Sequence, residues 1–192
     1  MSTSALDAMP LGKVMPHFEL EEVVAQKKVS SATLKEIFTK GIVVIFLCNH
    51  CPYVKHLLEG IVDMAEAFLP QGIGFVGISA NDPADYPDDG PEGLREMAAA
   101  HEIPFPILFD ETQEVARSFE ATCTPDFFIF DASSRLAYHG RFDGSTHKNG
   151  MAVTGEDLKQ ALQAVLQGVP PRVSSLSLGC SIKWKRTPWI KR

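Results

Sequence analysis

Two cysteines, separated by two residues, stand where an apolar run gives way to a helical pattern. Residues 42–47 are continuously apolar and rich in β-branched side chains, which predicts a buried central strand. Cys48 and Cys51 follow at once, and residues 53–68 then repeat apolar side chains at helical spacing until a proline and a glycine end the pattern. The predicted order of strand, cysteine turn and helix restricts the possible folds more than any other feature of the chain.

The spacing of Cys48 and Cys51 predicts redox chemistry. Two cysteines at the first turn of a helix lie on one face, and Cα atoms about 5.5 Å apart allow a reversible disulfide. A disulfide between these cysteines would close a very short loop and would therefore stabilise the fold little through chain entropy. We expect such a bond to have a redox role rather than a structural one. A helix N-terminus stabilises a thiolate, which makes Cys48, nearest the strand end, the first candidate for the attacking thiol. His50 would stabilise that thiolate if it is protonated or donates a hydrogen bond, and Cys51 would then resolve the mixed disulfide.

Two other interpretations of the pair stay open. The cysteines could be buried and inert, or they could bind zinc or copper together with His50, His56 or His147. The sequence has neither a second CxxC nor a paired-histidine motif that would complete four ligands. We therefore predict no resident metal and no cofactor.

Strands and helices alternate along the rest of the chain, and residues 81–90 are predicted to form a surface loop. The further predicted strands are 73–79, 105–109, 127–130 and 136–142, and the further predicted helices are 91–101, 111–119 and 154–168. Thr154 and Asp157 form an approximate capping box at the start of the last helix. Parallel units followed by an antiparallel hairpin and a final helix predict an α/β sandwich with a mixed sheet.

A single domain is expected, because 192 residues suffice for one sizeable core. We predict that it spans residues 1–168, with its core at about 10–168, and that residues 12–35 form a small N-terminal hairpin. Residues 169–192 are predicted to be a C-terminal tail that packs on this domain or extends from it.

Charge and hydropathy narrow the classes of function. The formal net charge is −6, and no concentrated basic face of the kind that phosphate backbones require is predicted. The basic residues are scattered until a short tail that contains Lys183, Lys185, Arg186, Lys191 and Arg192. Residues 1–10 lack the features of a signal peptide, and no apolar run approaches the roughly 20 residues that cross a bilayer. We therefore expect no nucleic-acid or membrane partner and a cytoplasmic location, where cysteines are more often reactive than structural.

The strand, the Cys48-x-x-Cys51 motif, the helix, and Thr124-Pro125 just before a later strand resemble the thioredoxin superfamily over about residues 10–168. The resemblance implies an α/β, thioredoxin-like (glutaredoxin-like) three-layer sandwich with a mixed central sheet and an N-terminal β-hairpin extension. It also implies that Pro125 is cis and packs against the active-site disulfide, and that Thr124 contacts substrate through its backbone. Asn49 and Pro52, within and next to the pair, are further candidates for substrate binding.

A narrower likeness extends over nearly the whole chain. Residues 46–54, 122–128, 138–141 and 179–184 are similar to a bacterial peroxiredoxin-like group of the AhpC/TSA (redoxin) clan. In that frame Pro52 follows Cys51 as a proline follows the peroxidatic cysteine of many peroxiredoxins, and Cys51 would cap the helix and receive more of its dipole. Which of the two thiols attacks therefore stays open.

Peroxiredoxins also place a proline seven residues and a threonine three residues before their peroxidatic cysteine. Counting back from Cys48 gives Gly41 and Ile45, and counting back from Cys51 gives Val44 and Cys48. The arginine of the peroxide site would fall near Pro125. The chain thus lacks the peroxide-binding pair in either frame and has the thioredoxin proline where the peroxidase arginine would stand.

Three more residues are candidate accessories. Cys123 should lie near the pair, since Thr124 alone separates it from Pro125, either as a third redox partner or as a small core residue. Arg141 could stabilise a thiolate or form an ordinary ion pair at a strand end. Cys180 could fold back from the tail to form a disulfide, or it could be an exposed thiol.

These patterns predict a thiol–disulfide oxidoreductase of the peroxiredoxin-like group that cycles Cys48 and Cys51 between dithiol and disulfide. The expected partners are a protein or small-molecule thiol or disulfide and a thiol reductant as electron donor. One alternative is an antioxidant, thiol-dependent peroxidase that acts on peroxide. A less favoured alternative is a copper-binding module.

Overall fold

The computed structural model of the protein describes residues 9–172 and 175–186 and is built around a seven-stranded sheet. The strands are β1 (Glu19–Glu22), β2 (Lys28–Ser30), β3 (Gly41–Phe46), β4 (Ile73–Ser79), β5 (Ile107–Phe109), β6 (Cys123–Thr124), β7 (Asp126–Asp131), β8 (Leu136–Gly140) and β9 (Cys180–Ser181). The helices are α1 (Ser31–Ile37), α2 (Pro52–Phe68), α3 (Pro91–Ala100), α4 (Glu114–Ser118) and α5 (Glu156–Gln167). Single 3-10 turns lie at Leu69–Gln71 and Pro87–Asp89.

The strand order of the main sheet is β2-β1-β5-β4-β3-β7-β8. Strand β3 lies parallel to β4 and antiparallel to β7, and β7 forms an antiparallel hairpin with β8. Parallel βαβ units therefore meet an antiparallel hairpin at the central strand, so the prediction of an α/β fold with a mixed sheet is confirmed. Strands β6 and β9 form a separate small ribbon.

Two apolar layers cover the sheet, one on each face, and the side chains of β3 alternate between them. Val43 and Ile45 pack in one layer with α2, α3 and α5, whereas Val44 and Phe46 pack in the other layer with α1 and α4. A strand buried on both faces needs an uninterrupted apolar sequence, which is the pattern that residues 42–47 show. The three-layer sandwich is therefore observed as predicted.

The start of α2 places the cysteines. The helix begins at Pro52, one residue earlier than predicted, and Cys51 is its N-cap. A proline suits the first helical position because its missing N–H would have no partner within the helix. The dipole of α2 consequently acts on Cys51 at its end rather than on Cys48, which lies three residues before.

The N-terminal region differs from the hairpin predicted over residues 12–35. The hairpin of β1 and β2 occupies residues 19–30 only, and α1 follows it. Strand β1 also pairs antiparallel with β5, so the hairpin continues the main sheet. Local periodicity could not show this, because the edge of β5 that recruits β1 lies more than 80 residues further along the chain.

Several predicted boundaries were too wide. Strand β8 ends at Gly140 instead of residue 142, and α4 begins at Glu114 rather than 111 because Gln113 adopts a left-handed backbone with φ 63°.

The predicted capping box is wrong: α5 begins after Gly155, which has a left-handed φ of 62°, and no side chain caps it. Asp157 forms an ion pair with Arg141 instead.

The described part of the C-terminal tail packs on the body of the molecule. Strand β9 pairs with β6 so that Cys180 stands opposite Thr124. Of the basic tail, Lys191 and Arg192 lie outside the described residues, while Arg186 forms an exposed ion pair with Asp85. Within residues 9–172 and 175–186, no helix combines the length and apolarity that crossing a membrane requires.

Candidate active site

Cys48 and Cys51 lie between the carboxyl end of β3 and the first turn of α2, and both are fully buried. The register of β3 against β7 pairs Phe46 with Asp126, which brings Thr124 and Pro125 beside the cysteines. The Thr124–Pro125 peptide bond is cis, as the resemblance implied. The Cys51 Sγ lies 3.1 Å from the carbonyl oxygen of Thr124, to which the protonated thiol donates.

Cys51 is surrounded by hydrogen-bond donors that favour its thiolate. The strongest of them is the Cys48 thiol, which donates its proton toward the Cys51 sulfur. Further donors are the Thr124 hydroxyl and the backbone N–H groups of Val54 and Cys180. Burial opposes them, since a buried charge loses hydration, but the donors outweigh it. The pKa of Cys51 is therefore held well below the ordinary value of a thiol.

The pKa of Cys48 is shifted in the opposite direction. Its hydrogen bond to Cys51, its burial and the nearby negative charge of Asp89 all raise its pKa. The Thr124 hydroxyl, whose oxygen lies 3.3 Å from the Cys48 Sγ, acts in the other direction without reversing the shift. The pKa of Cys48, the residue first expected to attack, is thus shifted upward and that of Cys51 downward, which is the direction that the alternative frame predicts.

A buried carboxylate, Asp89, holds the turn between the two cysteines. Its Oδ1 accepts the backbone N–H groups of Asn49 at 2.8 Å and His50 at 2.9 Å. Its Oδ2 accepts the side-chain amide of Asn81 at 2.8 Å and also contacts the His50 Nδ1. Asp89 therefore fixes the backbone of the turn and places a negative charge close to Cys48.

Sequence reasoning missed Asp89, because residues 81–90 were predicted to be a surface loop. Asp89 is fully buried, whereas the adjacent Asp88 is exposed. Nothing in the local pattern separates these two neighbouring carboxylates, since the fold alone turns one of them toward the cysteines. The prediction of a surface loop is therefore wrong for Asn81 and Asp89.

His50 lies beside Cys48, the thiol that it was predicted to contact. Its Nδ1 lies 3.7 Å from the Cys48 Sγ and contacts the Asp89 carboxylate more closely, and its ring stacks on Tyr86 with centroids 4.0 Å apart. The histidine therefore links Cys48 to Asp89, on the opposite side of the pair from Cys51.

Three potential metal-ligand atoms, from Cys48, His50 and Asp89, lie within 4.8 Å of one another. Both oxygens of Asp89 already have protein partners, however, so a cation would have to displace His50 or Asn81 from the carboxylate. This arrangement fits a hydrogen-bond network better than a metal centre.

The other two histidines considered as ligands lie with different partners. His56 contacts the Ser145 hydroxyl at 3.2 Å through Nε2, and His147 packs edge-on against the ring of Tyr53 at 4.5 Å. Neither is in the group of potential ligands that the described residues form around Cys48.

Two further thiols lie near the pair in different settings. The Sγ of Cys123 is buried and lies 3.8 Å from the carbonyl oxygen of Pro125, and burial raises its pKa. Cys180 is half-buried, and burial together with the neighbouring Cys51 raises its pKa. It also lines a groove of about 600 Å³ whose wall includes Tyr53 and Lys183.

The remaining candidate residues make contacts within the protein. The Nε of Arg141 lies 2.6 Å from Asp157, so the interpretation as an ion pair at a strand end fits. The Asn49 side chain donates to the Gly93 carbonyl at 3.0 Å and ties the cysteine turn to α3. Pro52 is exposed at the first position of α2, beside Cys51.

A mixed sheet whose central strand ends at two buried cysteines, beside a cis-proline, defines a thiol-redox protein of the thioredoxin fold. The model of the AhpC/TSA family matches residues 11–139. The chain belongs to the AhpC/TSA family. A comparison with curated proteins found no match.

Solved structures show the same fold over most of the chain. A conserved protein from Geobacillus kaustophilus is 44% identical, with a TM-score of 0.89 over 93% of this chain and 94% of that one. A thiol:disulfide interchange protein of the thioredoxin family from Chlorobium tepidum is 21% identical, with a TM-score of 0.63 over 83% of this chain and 99% of that one. A peroxidoxin from Mycobacterium tuberculosis is 18% identical, with a TM-score of 0.60 over 84% and 98%. The last two likenesses show the fold alone.

Proposed function

We propose that the protein is a thiol–disulfide oxidoreductase in which Cys51 attacks and Cys48 resolves. The observation that supports this most directly is the asymmetry of the pair. Donors surround the Cys51 sulfur and lower its pKa, while the Cys48 thiol supplies one of those donors. Because a thiolate is the nucleophile in disulfide exchange, Cys51 is the attacking thiol and Cys48, which stays protonated, is the resolving thiol.

In the first step the Cys51 thiolate attacks one sulfur of a substrate disulfide. The substrate bond breaks, a mixed disulfide forms on Cys51, and the released substrate thiolate takes a proton from water. The groove lined by Tyr53 and Cys180 is the route that we assign to the substrate.

In the second step Cys48 loses its proton and attacks the Cys51 sulfur of the mixed disulfide. The second substrate thiolate leaves, and the Cys48–Cys51 disulfide remains. His50 Nδ1, 3.7 Å from the Cys48 Sγ, and the Asp89 carboxylate behind it form the polar group beside this thiol that can receive its proton. A thiol reductant then reverses both steps and restores the dithiol.

Membership of the AhpC/TSA family is consistent with thiol chemistry, and the position of Thr124 supports disulfide exchange against peroxide reduction. The group that faces Cys51 at 3.1 Å is the Thr124 carbonyl, which accepts hydrogen bonds. An arginine beside the cysteine would instead stabilise the leaving oxygen of a peroxide, and Arg141 is paired with Asp157.

Thiol-dependent peroxide reduction is the second candidate. The burial of Cys51 favours it, because a peroxide can reach a fully buried sulfur more easily than a protein disulfide can. Cys51 would be oxidised to a sulfenic acid with release of water or an alcohol, and Cys48 would condense with it to the same disulfide.

The test begins with mild oxidation followed by peptide mass spectrometry, which should find a Cys48–Cys51 bridge. Free thiols at both positions after oxidation would refute the proposal. The double variant Cys48→Ser/Cys180→Ser, which removes both thiols that lie beside Cys51, should trap a mixed disulfide on Cys51 with oxidised glutathione, and Cys51→Ser should abolish exchange. Cys123→Ser serves as the matched control, since its thiol lies against the Pro125 carbonyl.

Stopped-flow kinetics with hydrogen peroxide separate the two candidates. The proposed oxidoreductase should react with peroxide no faster than a free thiol at the same thiolate fraction. Rapid formation of a sulfenic acid on Cys51 would favour the peroxidase instead.

A further inference from the structure

Cys180 lies beside the cysteine pair, but it takes part in neither of the two proposed exchange reactions of Cys51 and Cys48. Its strand, β9, pairs with β6 so that Cys180 stands opposite Thr124, whose carbonyl contacts Cys51. Cys180 lies close enough to Cys51 for each residue to influence the pKa of the other's thiol. Cys51 therefore has a thiol on either side of it, Cys48 from the strand end and Cys180 from the tail.

The three thiols differ in their access to solvent. Cys48 and Cys51 are both 0% exposed, whereas Cys180 is half-buried and forms part of the wall of the groove. An external thiol that enters the groove consequently meets Cys180 before it meets the buried pair. A disulfide between Cys48 and Cys51 would be shielded from that thiol.

The charge on Cys51 controls when Cys180 can react. Burial raises the pKa of Cys180, and the hydrogen bond and negative charge of Cys51 raise it further, while Lys183 and Lys148 lower it. A Cys51 sulfur within a disulfide carries no charge. Oxidation of the pair to a disulfide therefore removes one of the effects that raise the pKa of Cys180. Cys180 becomes easier to ionise at the stage of the cycle in which its thiolate would attack the disulfide.

We propose that Cys180 is a third redox thiol, which transfers the disulfide from the buried pair to the groove by thiol–disulfide exchange. This inference rests on the proposed function. The Cys180 thiolate attacks the Cys51 sulfur of the Cys48–Cys51 bridge. A Cys51–Cys180 disulfide forms, and Cys48 leaves as a thiolate and takes up the proton that Cys180 lost, so the protein is neither oxidised nor reduced in this step.

An external thiol completes the transfer. It attacks the Cys180 sulfur, forms a mixed disulfide there and releases the Cys51 thiolate. A second molecule of the thiol attacks this mixed disulfide, frees Cys180 and leaves as an oxidised dimer, so two thiols lose the two electrons that the protein gains. The substrate class for this half of the cycle is a thiol reductant small enough for a groove of about 600 Å³.

The first test traps the proposed intermediate. Cys48→Ser, oxidised mildly and digested without reduction, should contain a Cys51–Cys180 disulfide in peptide mass spectrometry. Cys51 and Cys180 both recovered as unlinked peptides would overturn the inference.

The second test measures transfer in the full-length protein. Oxidised wild type and Cys180→Ser are each treated with excess reduced glutathione, and recovery of the free Cys48 and Cys51 thiols is followed. We expect reduction of Cys180→Ser to be slower by roughly tenfold, while Ser133→Ala, at an exposed position of the turn between β7 and β8, matches wild type. Equal rates for Cys180→Ser and wild type would overturn the relay, although the Cys48–Cys51 bridge of the proposed function would still form in both.

Discussion

At the scale of single residues, one hydrogen bond distinguishes the two buried thiols. The Cys48 thiol donates to Cys51 and is the largest cause of the lowered pKa there. Asp89 adds a negative charge beside Cys48 and opposes its ionisation. The reactive group is therefore defined by the pair and its neighbours, and not by either cysteine alone.

Replacement of Cys48 should consequently change the acidity of Cys51. A hydrogen bond to a charged group contributes about 1.5–3 kcal/mol, so Cys48→Ala should raise the pKa of Cys51 by about one to two units. Cys48→Ser retains a donor and should shift it less. The pH dependence of Cys51 alkylation, followed by peptide mass spectrometry, measures both shifts, and the wild-type midpoint should lie well below that of a free thiol.

The matched control for this titration is Cys123→Ser, which removes a nearby thiol and should leave the Cys51 midpoint unchanged. An identical midpoint in wild type and Cys48→Ala would show that Cys48 is not the donor that acidifies Cys51.

At the scale of elements, the two-residue strand β9 covers the site from the tail. Gly179 allows β9 to lie this close to Thr124, because a Cβ added at position 179 would stand 2.2 Å from the Thr124 carbonyl oxygen. Real Cβ atoms do not approach a backbone atom so closely. The glycine is thus needed for the close approach of β9 to β6, and through it for the Cys180 N–H that reaches Cys51.

Gly179→Ala should therefore displace β9. The Ile182 N–H, which donates to the Thr122 carbonyl at 3.1 Å, should exchange with deuterium faster than in wild type, and stability should fall by about 1–3 kcal/mol. Gly144→Ala is the control, since the nearest atom to its added Cβ is a flexible methionine end at 3.4 Å. Unchanged protection of Ile182 in Gly179→Ala would contradict this account of the strand.

At the scale of the whole molecule, an aromatic cluster on one face of the sheet supports the strands that position the site. Phe119 packs edge-on against Phe46 of β3 and Phe128 of β7, with centroids 5.4 and 5.7 Å apart. These two strands carry Cys48 and Pro125 at their ends, so the cluster holds the two halves of the site together.

Phe119→Ala should cost about 3–5 kcal/mol of unfolding free energy, because Phe119 is fully buried and its removal leaves a cavity. The melting temperature should fall by roughly 6–20 °C for a chain of this size. Ile37→Ala, at a position 62% exposed, should change stability by less than about 0.5 kcal/mol. A loss below about 1 kcal/mol for Phe119→Ala would contradict the role of the cluster.

The central elements could be predicted from the sequence because their patterns are local. The apolar run of β3, the helical spacing of α2 and the hairpin of β7 and β8 are each determined by neighbours a few residues apart. Helix α1 and the attachment of β1 to β5 were missed, because they depend on partners distant in the chain. The cytoplasmic location stays a prediction.

By itself, the sequence predicted the fold class and the family, and it singled out two cysteines with Thr124 and Pro125 as one candidate site. The tertiary structure alone decided in which direction the pKa of each thiol shifts, that Asp89 holds the turn, and that Cys180 lies opposite Thr124. The physical reason is that a thiolate is stabilised by donors and charges within a few ångströms. Here the donors come from positions 48, 54, 124 and 180, while the charge of Asp89 opposes ionisation of Cys48, and only the folded chain brings these positions together.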